Sequence, residues 1–166
     1  MTGPDPQYGG VTLLGSPEGG RYPCGNSLLI GGSEGAVLVD PSLEVDRRGD
    51  LGVRIELVAV THAHEDHVAG LHLFPEVPVL VHPAEAAAVR DPETLLAGFG
   101  MTAAEAEVFR SQLGETLHLS GHERIDTVED GAVVDLGRRS VTVVHLPGHT
   151  AGHCGLFVEP DGFLFL

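Results

Sequence analysis

The chain has little cysteine. Cys24 and Cys154 are its only two among 166 residues, too few for a disulfide framework, and free buried thiols are the expectation. It has no apolar run approaching the roughly 18 residues that a membrane-spanning helix needs. Its start, Met1-Thr2-Gly3-Pro4-Asp5-Pro6, lacks a charged and then apolar leader, so a cytoplasmic protein with no membrane association is expected. Basic residues are scarce: nine Lys plus Arg stand against 24 Asp plus Glu, a formal charge of -15. Few cations are available to displace counterions from a phosphate backbone, which argues against a nucleic-acid partner. The two basic doublets, Arg47-Arg48 and Arg138-Arg139, each lie beside glycine in an expected turn. No repeat, linker or low-complexity tract divides the chain, and its length suits one domain.

Histidine is what the chain has in excess, with ten residues that cluster in sequence. Residues 1–10 read as a flexible tail and 11–166 as the domain. Short strands are expected at Val11–Leu14, Ser27–Ile30 and Ala36–Val39, the last stopped by Asp40-Pro41. Glu56–Val60 and Pro78–His82 are further buried-strand candidates, with a short helix from Asp66 ending by Pro75. From Pro83 to Gly114 the pattern is helical, and Thr102 with Glu105 has the spacing of a capping box. Strand patterns return at Val133-Val134, Val141–Val144, Gly155–Val158 and Phe163–Leu166. Strands at both ends with helices between imply an α/β fold with mixed rather than purely parallel sheets.

The segment Thr61-His62-Ala63-His64-Glu65-Asp66-His67 follows directly on a buried strand. His62 and His64 are two residues apart, so an extended backbone sends both imidazoles to one side, as two ligands of one metal. Asp66 and His67 lie where the chain bends towards a helix and can face a second point nearby. Imidazole and carboxylate donors suit Zn, Mn or Fe, and the lack of thiolate pairs argues against a closed structural cluster. A second histidine-bearing turn, His145-Leu146-Pro147-Gly148-His149-Thr150-Ala151-Gly152-His153, follows another apolar strand, and Pro147-Gly148 reverses the chain so that His149 is aimed back over the strand end.

The pattern H-x-H-x-D-H, followed some eighty residues later by P-G-H-T, resembles the metallo-β-lactamase fold superfamily, most closely its glyoxalase II-like and lactonase-like members. Val39-Asp40-Pro41 and the Asp130-Gly131 to Leu136-Gly137 hairpin extend the likeness. The resemblance implies an αββα sandwich, two mixed sheets between helices. It implies that His62, His64 and His149 bind a first metal and Asp66 and His67 a second, one or two Zn2+ per chain, with Fe or Mn as substitutes. Asp40 would orient a ligand histidine through its other ring nitrogen. His153 is expected as a hydrogen-bonding neighbour rather than a ligand, and His145 is given no ligand role. His72, His82, His118 and His122 are expected in surface or structural positions.

The implied activity is hydrolysis of a small ester, thioester or lactone by zinc-bound hydroxide, with Asp66 as the catalytic residue handling the water's proton. Two alternatives accompany it: a mononuclear iron enzyme of the persulfide dioxygenase kind, and a non-catalytic metal-binding fragment. The second arises because the family's metal-bridging Gly-Asp and its final histidine would follow the last residue, Leu166. On this reading the second half of the fold is truncated, and a homo-oligomer or a completing chain is the expected remedy.

Overall fold

The computed structural model describes residues 5–166, with the side chains of all of these but 112–115. In chain order the elements are β1 (Gln7–Tyr8), β2 (Val11–Leu14), β3 (Ser27–Gly31), β4 (Ala36–Val39), α1 (Leu43–Arg48), β5 (Ile55–Ala59), α2 (Glu65–Val68), a 3-10 turn (Leu71–Leu73), β6 (Val79–Val81), α3 (Ala86–Arg90), α4 (Pro92–Gly98), α5 (Ala103–Thr116), β7 (Ile125–Thr127), β8 (Val133–Asp135), β9 (Ser140–His145), β10 (Cys154–Glu159) and β11 (Phe163–Phe165).

The first seven strands form one sheet in chain order, β1 to β7, and the last four a second sheet in the order β11-β10-β9-β8. The first sheet is mixed: β1 to β4 pair antiparallel, and β4 to β7 pair parallel. The four strands of the second are antiparallel throughout.

The period-two alternation of a strand explains why the runs in the first sheet are apolar at every position. Val37 and Val39 of β4 face Val141, Val143, Leu156 and Val158 of the second sheet, while Leu38 between them packs with Val45, Val68 and Val89 of α1, α2 and α3. β5 repeats the pattern, with Ala59 on the inter-sheet side and Val58 on the helix side. Each fully buried side chain of this kind contributes about 1.5–3 kcal/mol. Among the described residues, helices join the core only on the outer face of the first sheet. The outer face of the second leaves Val133, Leu164 and Leu166 exposed.

Two features differ from the sequence reading. Residues 7–8 belong to no tail: Gln7 and Tyr8 pair with Thr12 and Val11, while residues 1–4 lie outside the described residues. The short elements α1 and β7 carry no pattern long enough to have announced them. The capping box at Thr102 does form, Thr102 N–H donating to Glu105 Oε2 at 2.8 Å and Glu105 N–H to Thr102 Oγ1 at 3.3 Å. Both cysteines are free and buried.

The parallel strands matter most for function. Their C-terminal ends share one edge, where side chains from successive connections meet. Asp40 follows β4, His62 follows β5 and Glu85 follows β6.

Candidate metal centre

His62, His64 and His149 converge at that edge, with potential ligand atoms all within 4.8 Å of one another. The three ring centroids stand 4.8, 4.7 and 4.6 Å apart. His62 leaves β5 and is buried; His64 caps α2 in extended conformation, which turns its ring back towards His62. His149 arrives from the β9–β10 turn, tied to the first loop where Cys154 N–H donates to Thr61 O at 3.0 Å.

The proton on His62 can be placed by accounting for each donor. Thr61 Oγ1 lies 2.7 Å from Asp40 Oδ2, and a carboxylate only accepts, so the hydroxyl's single proton goes there. Thr61 Oγ1, 3.0 Å from His62 Nδ1, must then accept the ring's N–H. That leaves His62 Nε2 with a lone pair, and it is a buried atom with no hydrogen-bond partner. An orphaned acceptor at this depth costs about 1–3 kcal/mol unless something occupies it. Burial first, then the neighbouring rings of His67, His64 and His149, push the His62 pKa down to about 2. Burial and His149 lower that of His64. Neutral imidazoles are what a metal requires, and this donor set fits a transition-metal ion.

Asp40 is the hub beneath them. It is fully buried and adopts a left-handed backbone, φ 47°, a conformation that costs a residue with a side chain about 1–3 kcal/mol. In return its carboxylate accepts from Thr61 N–H at 2.7 Å, from the Thr61 hydroxyl and from His67 Nδ1 at 2.8 Å. The orienting role anticipated for Asp40 therefore falls on His67 directly and on His62 through Thr61.

Asp66 and His67 lie beside the three-histidine cluster rather than in it. The His67 ring is 4.1 Å from that of His62, and its Nε2 is 3.8 Å from Asp66 Oδ2. Burial depresses the His67 pKa, but the charge and hydrogen bond of Asp40 with the charge of Asp66 carry it above its ordinary value.

Glu85 is a residue that sequence reasoning missed. It is buried, and its Oε2 accepts from Ala63 N–H at 3.0 Å while Oε1 accepts from Gly152 N–H at 2.7 Å. One carboxylate therefore links the loop carrying His62 and His64 to the turn carrying His149. Gly152 permits this contact, since a Cβ there would lie 2.7 Å from Glu85 Cγ. Its partners are backbone groups 22 and 67 residues away, which no motif records.

The remaining histidines have assignable places. His153 Nδ1 donates to Leu146 O at 3.3 Å. His145 stacks on His82 at 4.2 Å and donates to Ala151 O. His122 is buried against Phe74 O, and His72 and His118 flank Asp46.

Next to His64 and His149 opens a cavity of about 630 Å3. Ala84, Ala87, Ala88, Leu95 and Phe99 line it from the helical insert, and Ala63, Thr150 and Ala151 from the two turns. A site with polar groups at one end and apolar walls elsewhere suits a ligand that is itself divided in this way.

Residues 25–166 match the model of the metallo-beta-lactamase superfamily, and the chain belongs to that superfamily. It is 30% identical to the acyl-coenzyme A thioesterase MBLAC2 of Bos taurus over 161 residues, 84% of this chain and 56% of that protein. It is 27% identical to the hydroxyacylglutathione hydrolase of Synechococcus sp. (strain JA-3-3Ab) over 135 residues, 78% of this chain and 42% of that one. A metallo-beta-lactamase from Cronobacter sakazakii has the same fold, with TM-score 0.68 at 23% identity over 99% of this chain and 62% of that one. The chain thus spans about half the length of the curated relatives it matches.

Proposed function

We propose that this chain carries the metal site and acyl pocket of a thioester hydrolase. The carrying observation is the convergence of three imidazoles, with His62 Nε2 buried and unpartnered, at the mouth of an apolar cavity. The superfamily and the thioesterase and hydroxyacylglutathione hydrolase activities of the two relatives support the thioester class among the esters, thioesters and lactones that the chemistry allows.

His62, His64 and His149 would hold the ion, zinc by preference. When bound, it supplies a water whose pKa falls from about 15.7 to about 7 and polarises a carbonyl oxygen. The protein's own groups do the rest. Asp66 would accept the proton of the attacking water. Thr61 and Asp40 hold His62 in the tautomer that presents Nε2. Glu85 keeps the two ligand-bearing turns at a fixed spacing. Ala87, Ala88, Leu95 and Phe99 take the acyl portion and keep bulk water from it.

The test is thiol release by zinc-loaded protein from acyl-coenzyme A and S-acylglutathione, alongside an oxygen ester, a lactone and a β-lactam. Thioester cleavage that exceeds the others and disappears in His64→Ala is expected. Stoichiometric zinc with no turnover of any acyl substrate would overturn the hydrolase reading. Iron in place of zinc would point to sulfur oxidation.

A further inference from the structure

Away from the three-histidine centre, Asp46 of α1, His72 of the 3-10 turn and His118, two residues past α5, bring potential ligand atoms within 4.8 Å of one another. His72 Nε2 is 3.1 Å from Asp46 Oδ1, and His118 Nδ1 is 3.0 Å from Asp46 Oδ2. The two rings are 5.1 Å apart.

The hydrogen-bond inventory of His72 shows what such a cluster needs. Its Nδ1 lies 3.0 Å from Ala69 O, and a carbonyl only accepts, so Nδ1 carries a proton. In a neutral ring Nε2 is then a bare lone pair, yet it faces a carboxylate oxygen. Those two electron-rich atoms meet only with a second ring proton or a metal ion at Nε2. A ring whose Nδ1–H is anchored on a backbone carbonyl while Nε2 faces outward is also the arrangement that metal-ligating histidines adopt, because the anchor fixes tautomer and orientation.

We propose that Asp46, His72 and His118 form a second metal site, for a divalent transition-metal ion such as zinc, that fastens the end of the helical insert to α1 and the 3-10 turn. Two imidazoles and one carboxylate are a donor set for this class of ion. The position gives the site a purpose. The insert packs there through a small buried cluster of Cys24, Leu43, Ala69, Leu96 and Leu117, against which Phe99 and Phe109 rest. Phe99 also lines the cavity beside His64, so an ion at Asp46 would steady a pocket wall from outside the reaction centre.

Zinc binding by equilibrium dialysis tests this in the chelator-stripped 166-residue chain carrying His64→Ala and His149→Ala, which disable the other centre. The double variant should retain one zinc per chain and gain thermal stability when zinc is added. Adding His118→Gln, at a side chain 67% exposed and so tolerant of change, or His72→Ala should abolish both effects. A double variant that binds no zinc overturns the proposal. So does zinc binding that survives both added substitutions, which would be non-specific attraction to an acidic chain. Neither outcome touches the three-histidine reading, which the parent protein tests separately.

Discussion

Glu85 offers a sharp test of how the two histidine-bearing turns are held together. Glu85→Ala removes the acceptor for two backbone N–H groups, of Ala63 and Gly152, at a residue only 6% exposed. A hydrogen bond to a charged group contributes about 1.5–3 kcal/mol. Two of them, with water reaching the edge of the site, put the cost at about 2–5 kcal/mol. That is a large part of the roughly 5–15 kcal/mol that stabilises a domain. Glu85→Gln keeps one acceptor oxygen and turns the other into an N–H that opposes a donor, so about half that loss is expected. The assay is urea unfolding of metal-free protein, followed by zinc affinity for each variant. The midpoint should fall without a change in slope, and zinc should bind more weakly because His149 is no longer held against His62 and His64. A Glu85→Ala variant within about 0.5 kcal/mol of the parent and with unchanged zinc affinity would refute the clamp.

Two further perturbations follow from the same geometry. Thr61→Val keeps the shape but cuts the link from His62 Nδ1 to Asp40. Zinc affinity should fall about 10–100-fold and recover in Thr61→Ser, as read by competition with a chromogenic chelator. Burial pushes the Cys154 thiol up to about 11 and raises that of Cys24. Both thiols are therefore protonated at pH 8 and should react with a disulfide reagent only after unfolding in urea; prompt labelling of folded protein would contradict their burial.

The sequence made visible those features that are local. Buried strands show as apolar runs such as Ala36–Val39, and the three converging histidines sit in motifs a few residues long beside them. The Pro147-Gly148 reversal signals the turn that brings His149 beside His62 and His64, because turn chemistry is written in adjacent residues. What stayed hidden depends on distant partners. Glu85 reads as one more polar position in an alanine-rich helical stretch, because its meaning lies in backbone N–H groups contributed by two other loops. Asp46, His72 and His118 come from three segments with no shared spacing. Strands as short as β1 and β7, of two and three residues, form because a neighbouring strand offers its edge, which propensity does not encode.

The central claim is that the two turns meet at one ion. Its most direct test is zinc content by mass spectrometry on untagged protein purified without added metal. The comparison is among His118→Gln, His118→Gln with His64→Ala, and His118→Gln with His149→Ala, so that only the three-histidine centre is counted. Near-stoichiometric zinc in the first, lost equally in the other two, is the predicted result. Zinc that is absent from the first, or that is unaffected by His149→Ala, would mean that the turns do not share a metal.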